Sequence, residues 1–173
     1  GVYGSSNNYS TFSHPTDDIQ SQNFPALLLD YSEVEFLLAE AAARSIPVAG
    51  TAEEHYNNAV TASITYWGGT VEEAEAYLAQ PEVNYNSAAG DYKEKIGTQK
   101  WLALYNRGHE AWTENRRLDA PTLNEVANPI ADYPIRYTYP VAEQNLNTRN
   151  YNTASDNIGG DEVTTPLFWD IEQ

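Results

Sequence analysis

The sequence predicts an all-α fold: a helical hairpin, further helices, long irregular loops and a carboxy-terminal strap. Three observations predict it. Three hydroxyl residues are each followed three positions later by glutamate: Ser32 by Glu35, Thr51 by Glu54 and Thr70 by Glu73. This is the capping-box spacing, in which hydroxyl and carboxylate reciprocally satisfy the N–H groups left open at a helix start. Behind each box, apolar residues recur at steps of three and four, the spacing of one helix face. Glycine or proline then ends each run.

The elements follow in order. Residues 1–30, rich in Ser, Asn, Thr and Asp early on, read as a loop. A first helix opens at Ser32, with Tyr31 and Phe36 placed as a hydrophobic staple. Its expected buried stripe is Val34, Leu37, Leu38, Ala41 and Ala42, and it ends near Arg44 because Pro47 disfavours a helical residue before it. A second helix runs from Thr51 with Tyr56, Ala59, Val60, Ser63, Ile64 and Trp67 on one face, stopped by Gly68-Gly69. The pair forms a helical hairpin, and Tyr31 to Trp67 is close to the 34-residue period of a tetratricopeptide repeat.

A third helix spans Val71 to about Gln80, ended by Pro81, and the polar loop "PEVNYNSAAGD" follows. From Tyr92 to about Arg117 a longer helical region carries Trp101, Tyr105, Gly108 and Trp112 on one stripe, with Gly108 as a break or kink. Six of the nine basic residues fall between Lys93 and Arg117, which reads as a charge-complementary face toward neighbouring helices. Beyond Arg117, prolines at 121, 129, 134, 140 and 166 interrupt any periodicity. About fifty residues without regular structure is long for a compact domain. Its tyrosines and the terminal "PLFWD" favour an ordered strap, since disordered segments are poor in aromatics. Within it, Pro140 opens a short helical turn through Glu143, and Asn145 and Asn147 suit turn positions. Arg136 is expected to be buried against a carboxylate. The expected organisation is thus loop 1–30, helical core 31–117 and strap 118–173.

Composition excludes several functions. A net charge of −16 argues against nucleic acid, whose phosphates require cationic partners, and against docking on an anionic membrane surface. The absence of cysteine removes disulfides, thiolate metal sites and cysteine nucleophiles. No run of about eighteen apolar residues occurs, and Gly1 to Phe24 lacks a secretory leader pattern. The chain has no methionine, so the expectation is a processed or excised piece.

Catalytic motifs fail one by one. His109-Glu110 opens a zinc-protease pattern, but Thr113 stands where the second histidine belongs. No phosphate loop or nucleophile elbow is present. A glycosidase pair would need two carboxylates about 5 to 9 Å apart in an aromatic cleft. Glu33, Glu35, Glu53, Glu54, Glu72 and Glu73 are explained by helix starts. Mid-helix Glu40 is the most interesting acid, with a salt bridge to Arg116 or Arg117 as its structural reading. The run "DNIGGDEV", Asp156 to Val163, offers oxygens to a structural calcium ion but lacks a calcium-loop pattern, so a plain turn is the reading and no cofactor is expected.

Four stretches together resemble a known family: "YSEVEFLLAEAAAR", "YNNAVTASITYWG", "QKWLALYNRGHEAWTENRR" and "YPIRYTYPVAEQNLN". They occur in the order seen in the SusD/RagB-like family. Pro134, Arg136, Tyr137, Tyr139, Pro140, Glu143 and Asn147 carry the last, and "PLFWD" is similar to the family's closing "WWD" with Phe168 replacing a tryptophan. Glu40, Trp101, Arg116 and Arg117 belong to the same structural signature. The resemblance implies an all-α, tetratricopeptide-like, surface-exposed outer-membrane lipoprotein without enzymatic activity. It implies glycan or nutrient capture as a lid on a SusC-like TonB-dependent transporter. It also implies that this chain is the carboxy-terminal portion, with the lipid anchor upstream.

Sugars stack their C–H faces on exposed rings and hydrogen-bond to amides and carboxylates. The candidate ligand residues are therefore loop aromatics with amide neighbours: Tyr3 and Tyr9 near Asn8, and Tyr85 beside Asn84 and Asn86. Trp67 joins them at a helix end, although packing is the first reading for each ring. The competing functions are a structural portion that contacts the transporter without binding sugar, and a small glycoside hydrolase.

Overall fold

The computed structural model describes residues 8–124 and 128–170. Among these there are seven α-helices and no strand. The chain divides into two compact units, Phe12–Leu123 and a second formed by its two ends, described here as residues 8–11, 124 and 128–170.

The helical unit holds α1 (Tyr31–Ala43), α2 (Ala52–Tyr66), α3 (Val71–Leu78), α4 (Tyr92–Ala103) and α5 (Gly108–Leu118). α1 packs on α2 and α4, α3 on α2, and α5 on α4. The capping boxes at Thr51–Glu54 and Thr70–Glu73 form as expected. Gly68 takes the left-handed conformation (φ +91°) just beyond the end of α2, a position where a side chain would be strained. At Gly97 the limit is space, because a Cβ there would lie 2.8 Å from the Cβ of Ala120.

The start of α1 departs from expectation. Asp30 is the N-cap, accepting from the Glu33 N–H at 2.8 Å, and Ser32 lies inside the helix. The Ser32 hydroxyl instead donates to the Ala59 carbonyl at 2.8 Å, tying α1 to α2. Tyr31 is exposed and makes no staple. The buried stripe is also different. Val34 and Leu37 are exposed, whereas Ser32, Glu33, Glu35, Phe36, Ala39 and Glu40 face inward. Periodicity located the helix but not its rotation, because buried carboxylates with cationic partners compete with leucine for the inner face.

The core gathers Phe36, Ala39, Tyr56, Ala59, Val60, Ile96, Ala103 and Leu118. Phe36 meets Tyr56 edge-on at 6.3 Å, and the Tyr56 hydroxyl donates to the Val83 carbonyl at 2.6 Å. Burial pushes the Tyr56 phenol well above its ordinary pKa. The expected Trp101–Trp112 stripe is interrupted: α4 ends at Ala103, Asn106 takes a left-handed φ of 68°, and Gly108 opens α5.

The second unit is more ordered than the irregular strap expected. It contains α6 (Val141–Leu146) and α7 (Thr148–Asn157). Pro140 is the N-cap of α6 rather than its first residue, and Asn145 lies inside the helix. Asn147 separates the two helices and donates to Glu143 Oε2 at 2.8 Å. The expectation for Arg136 holds: its guanidinium is 3.1 Å from Asp161, both side chains being buried. Asp161 also accepts from the Tyr139 N–H, and the Ile135 and Arg136 N–H groups both donate to the Val163 carbonyl.

Candidate functional site

Three chain segments converge at one end of the helical unit: the start of α1, the end of α2 and the end of α4. The connection is visible in two places. Arg107, just past α4, bonds Asp30 Oδ2 at 2.9 Å and Glu33 Oε2 at 3.0 Å on α1. Trp67, at the end of α2, meets Tyr105 edge-on at 5.4 Å. Between them lies a cleft of about 320 Å³, lined by Phe24, Asp30, Tyr66, Trp67, Tyr105, Asn106 and Arg107 among others. Ligand sites commonly occupy about 300–1,000 Å³.

The cleft is built in layers. Trp67 lies nearly parallel to Phe24, their centroids 6.3 Å apart, and Tyr66 meets it edge-on at 5.1 Å. Tyr66 and Tyr105 remain 42% and 50% exposed, so they present ring surface to solvent while Trp67 is half-buried beneath them. Arg107 is pinned by its two carboxylates. Burial raises the Glu33 carboxyl above its ordinary pKa, and the cations Lys100 and Arg107 oppose that rise. The arrangement offers flat apolar rings beside amide and carboxylate groups.

Within the helical unit, Asn84, Tyr85 and Asn86 are not among the residues that line the cleft. Tyr85 packs against the core, 5.2 Å from the Tyr56 ring, and its carbonyl accepts from Lys95 Nζ at 2.9 Å. Asn84 Oδ1 accepts from the Asn86 N–H at 3.0 Å, closing the loop on itself. Asn8, in the second unit, accepts from the Ser10 hydroxyl at 2.9 Å, and Tyr9 opens the 3₁₀ turn Tyr9–Thr11. Tyr3 lies outside the described residues. Of the described candidates in the helical unit, Trp67 alone lines the cleft.

Glu40 has the partner expected of it. Arg117 bonds it twice, Nη1 to Oε1 at 2.7 Å and Nη2 to Oε2 at 2.6 Å, and also bonds Glu114. Burial alone would raise the Glu40 carboxyl, but Arg117 and Arg44 hold it below its ordinary value, so it is a charged structural group. Arg116 stacks 3.7 Å over Trp112. Lys100 is buried 3.1 Å from Glu114, in contact outside hydrogen-bonding geometry. In the Asp156–Val163 run, Asp161 is taken by Arg136 and the Tyr139 N–H, and among the described residues no cluster of three His, Asp or Glu could hold a metal.

The residues missed from sequence are Phe24, Asp30, Tyr66, Tyr105, Asn106 and Arg107. The signal was present in "TYWGG" and "LYNRG", two helix ends where rings precede a break. The pairing of those ends was not.

An all-α protein with an aromatic cleft between helix ends is thus defined, and comparison places it. A family model described as "Starch-binding associating with outer membrane" matches residues 1–140, and the chain belongs to this SusD-like family. A Bacteroidetes AC2a SusD-like structure is 32% identical with a TM-score of 0.79, over 91% of this chain and 33% of its own. A SusD homologue from Bacteroides vulgatus is 29% identical, TM-score 0.81, over all of this chain and 42% of its own. A chitin-binding SusD homologue from Flavobacterium johnsoniae is 27% identical, TM-score 0.72, over 84% of this chain and 37% of its own. The chain therefore spans about a third to two-fifths of the length of these relatives. A search among curated proteins returned no match. Among the described residues, no helix is long and apolar enough to cross a membrane.

Proposed function

We propose that this chain is part of a non-enzymatic glycan-capture protein at the outer-membrane surface, working with a SusC-like TonB-dependent transporter in polysaccharide uptake. The observation that carries the reading is the family match over residues 1–140, joined by a chitin-binding homologue that aligns over 84% of the chain. The aromatic cleft supports it chemically, since rings beside amides and carboxylates suit a sugar. Membrane attachment, on this reading, comes from a lipid anchor upstream of these residues. The test is affinity electrophoresis of the folded chain in gels containing starch, glycol chitin, xylan or β-glucan. Retardation by at least one glycan is expected, with no reducing sugar released.

A second reading is favoured by one observation. Leu28, Tyr31, Val34 and Leu37 form an exposed apolar row along α1 and the residues before it. In that reading the portion is an interaction surface, contacting the transporter or bracing neighbouring helices, and touches no sugar. Unchanged migration of a folded sample on every glycan favours it.

A further inference from the structure

We propose that the cleft at the joined ends of α1, α2 and α4 binds a neutral glycan, with Tyr66 and Tyr105 as its stacking rings. The Asp30–Arg107–Glu33 cluster beside them acts as a fixed filter against anionic sugars. The proposal rests on the glycan-capture reading and narrows it to a site and a substrate class.

Stacking needs ring faces that are exposed yet held still. Tyr66 and Tyr105 are about half exposed, and both are braced edge-on against Trp67, whose own ring rests on Phe24. Rings fixed before the ligand arrives lose little rotamer freedom on binding. Asn106, exposed in its left-handed turn, supplies an amide with both donors and an acceptor at the cleft wall.

The charge arrangement selects the sugar class. Among the described lining residues Arg107 is the one cation, and each of its terminal nitrogens already donates to a carboxylate, Nη2 to Asp30 and Nη1 to Glu33. Arg107 is paired with two carboxylates, and Lys100 and Glu110, of opposite charge, also act on Glu33, inside a chain of net charge −16. A uronate or sulfate entering here meets two carboxylates and a guanidinium already paired with both. Asp30 Oδ1 accepts from the Glu33 N–H and Oδ2 from Arg107, and carboxylate oxygens have further lone pairs for a sugar hydroxyl. Hydroxyl donors therefore meet open carboxylate lone pairs, whereas an anion must compete with two carboxylates for Arg107.

The experiment uses the 173-residue chain and its Tyr66→Ala, Tyr105→Ala and double variants, with Phe12→Ala as an exposed ring outside the cleft. Each is run through gels containing glycol chitin, starch, xylan or β-glucan, and through gels containing polygalacturonate or alginate. Affinities for soluble oligosaccharides follow by calorimetry. The expected result is retardation by a neutral glycan, weakened about tenfold or more in the double variant. Phe12→Ala should leave it unchanged, as should the acidic gels. Melting curves confirm that the variants remain folded, as the exposure of both tyrosines implies. If neutral retardation persists in the double variant, the cleft is not the site, while glycan capture stands. If polygalacturonate retards the chain as strongly as any neutral glycan, the substrate class is overturned. If no glycan retards a folded chain, the underlying capture reading fails, and the site falls with it.

Discussion

The two units of this chain are held by different physics. The helical unit buries apolar residues from four of its helices around Phe36 and Tyr56, and closes its faces with buried ion pairs. In the second unit the buried residues among those described are Arg136 and Thr165, with the Asp161 side chain buried beside Arg136, and none of the three is apolar. There, order comes from Asp161, which fixes Arg136 and the Tyr139 N–H, and from the Val163 carbonyl. Apolar burial is non-directional and sums over many contacts. A single carboxylate hub is directional and fails all at once when one partner is lost.

The largest expected effect is on the helical core. Phe36→Ala should cost about 3–5 kcal/mol, read as a lower urea midpoint of the main transition. Asp161→Ala should cost about 3 kcal/mol, because Arg136 would stay buried without its carboxylate, keeping only the Tyr137 carbonyl and the Tyr139 ring. Its signature should be local: faster hydrogen exchange at the Ile135, Arg136 and Tyr139 amides, with α1 to α5 unchanged. Equal loss of protection in α1 to α5 would erase the contrast between the units.

Glu40→Gln comes next, at about 1–3 kcal/mol, since Arg117 keeps Glu114. A loss as large as that of Phe36→Ala would mean that charge, not apolar burial, dominates the helical unit.

The smallest effect is a pH response confined to the helical unit. His55 Nδ1 lies 2.6 Å from Glu35 Oε2. The Glu35 hydrogen bond raises the His55 pKa; burial opposes the rise and the Ala49 carbonyl adds to it. Burial would raise Glu35, but hydrogen bonds from His55 and Tyr31 hold it below its ordinary value. The histidine contribution is therefore complete below about pH 6.5 and lost as pH rises through the raised value. The glutamate contribution is present above the ordinary carboxylate range and lost on acidification. The melting temperature should thus fall as pH rises above about 6.5, and His55→Gln should flatten that slope. An overlay of the two profiles would show that the pair contributes nothing to the pH dependence.

Local signals were legible wherever neighbours in sequence supply the physics. Thr51, Thr70 and Gly68-Gly69 bounded their helices because caps are satisfied within four residues. Arg136 and Glu40 announced buried pairs because a charge within a family motif or among alanines needs a partner. The sequence by itself thus determined the all-α class, most helix boundaries and the family. It did not determine which face of α1 turns inward. Nor did it show that Asp30, Tyr66, Trp67, Tyr105 and Arg107 share one cleft. Those were decided only in the tertiary structure: a helix has several faces of similar hydrophobicity, and rotation is chosen by partners such as Arg107, His55 and Arg117, from 20 to 77 positions away. No local pattern encodes a contact over that separation, so the cleft exists only once the helix ends meet.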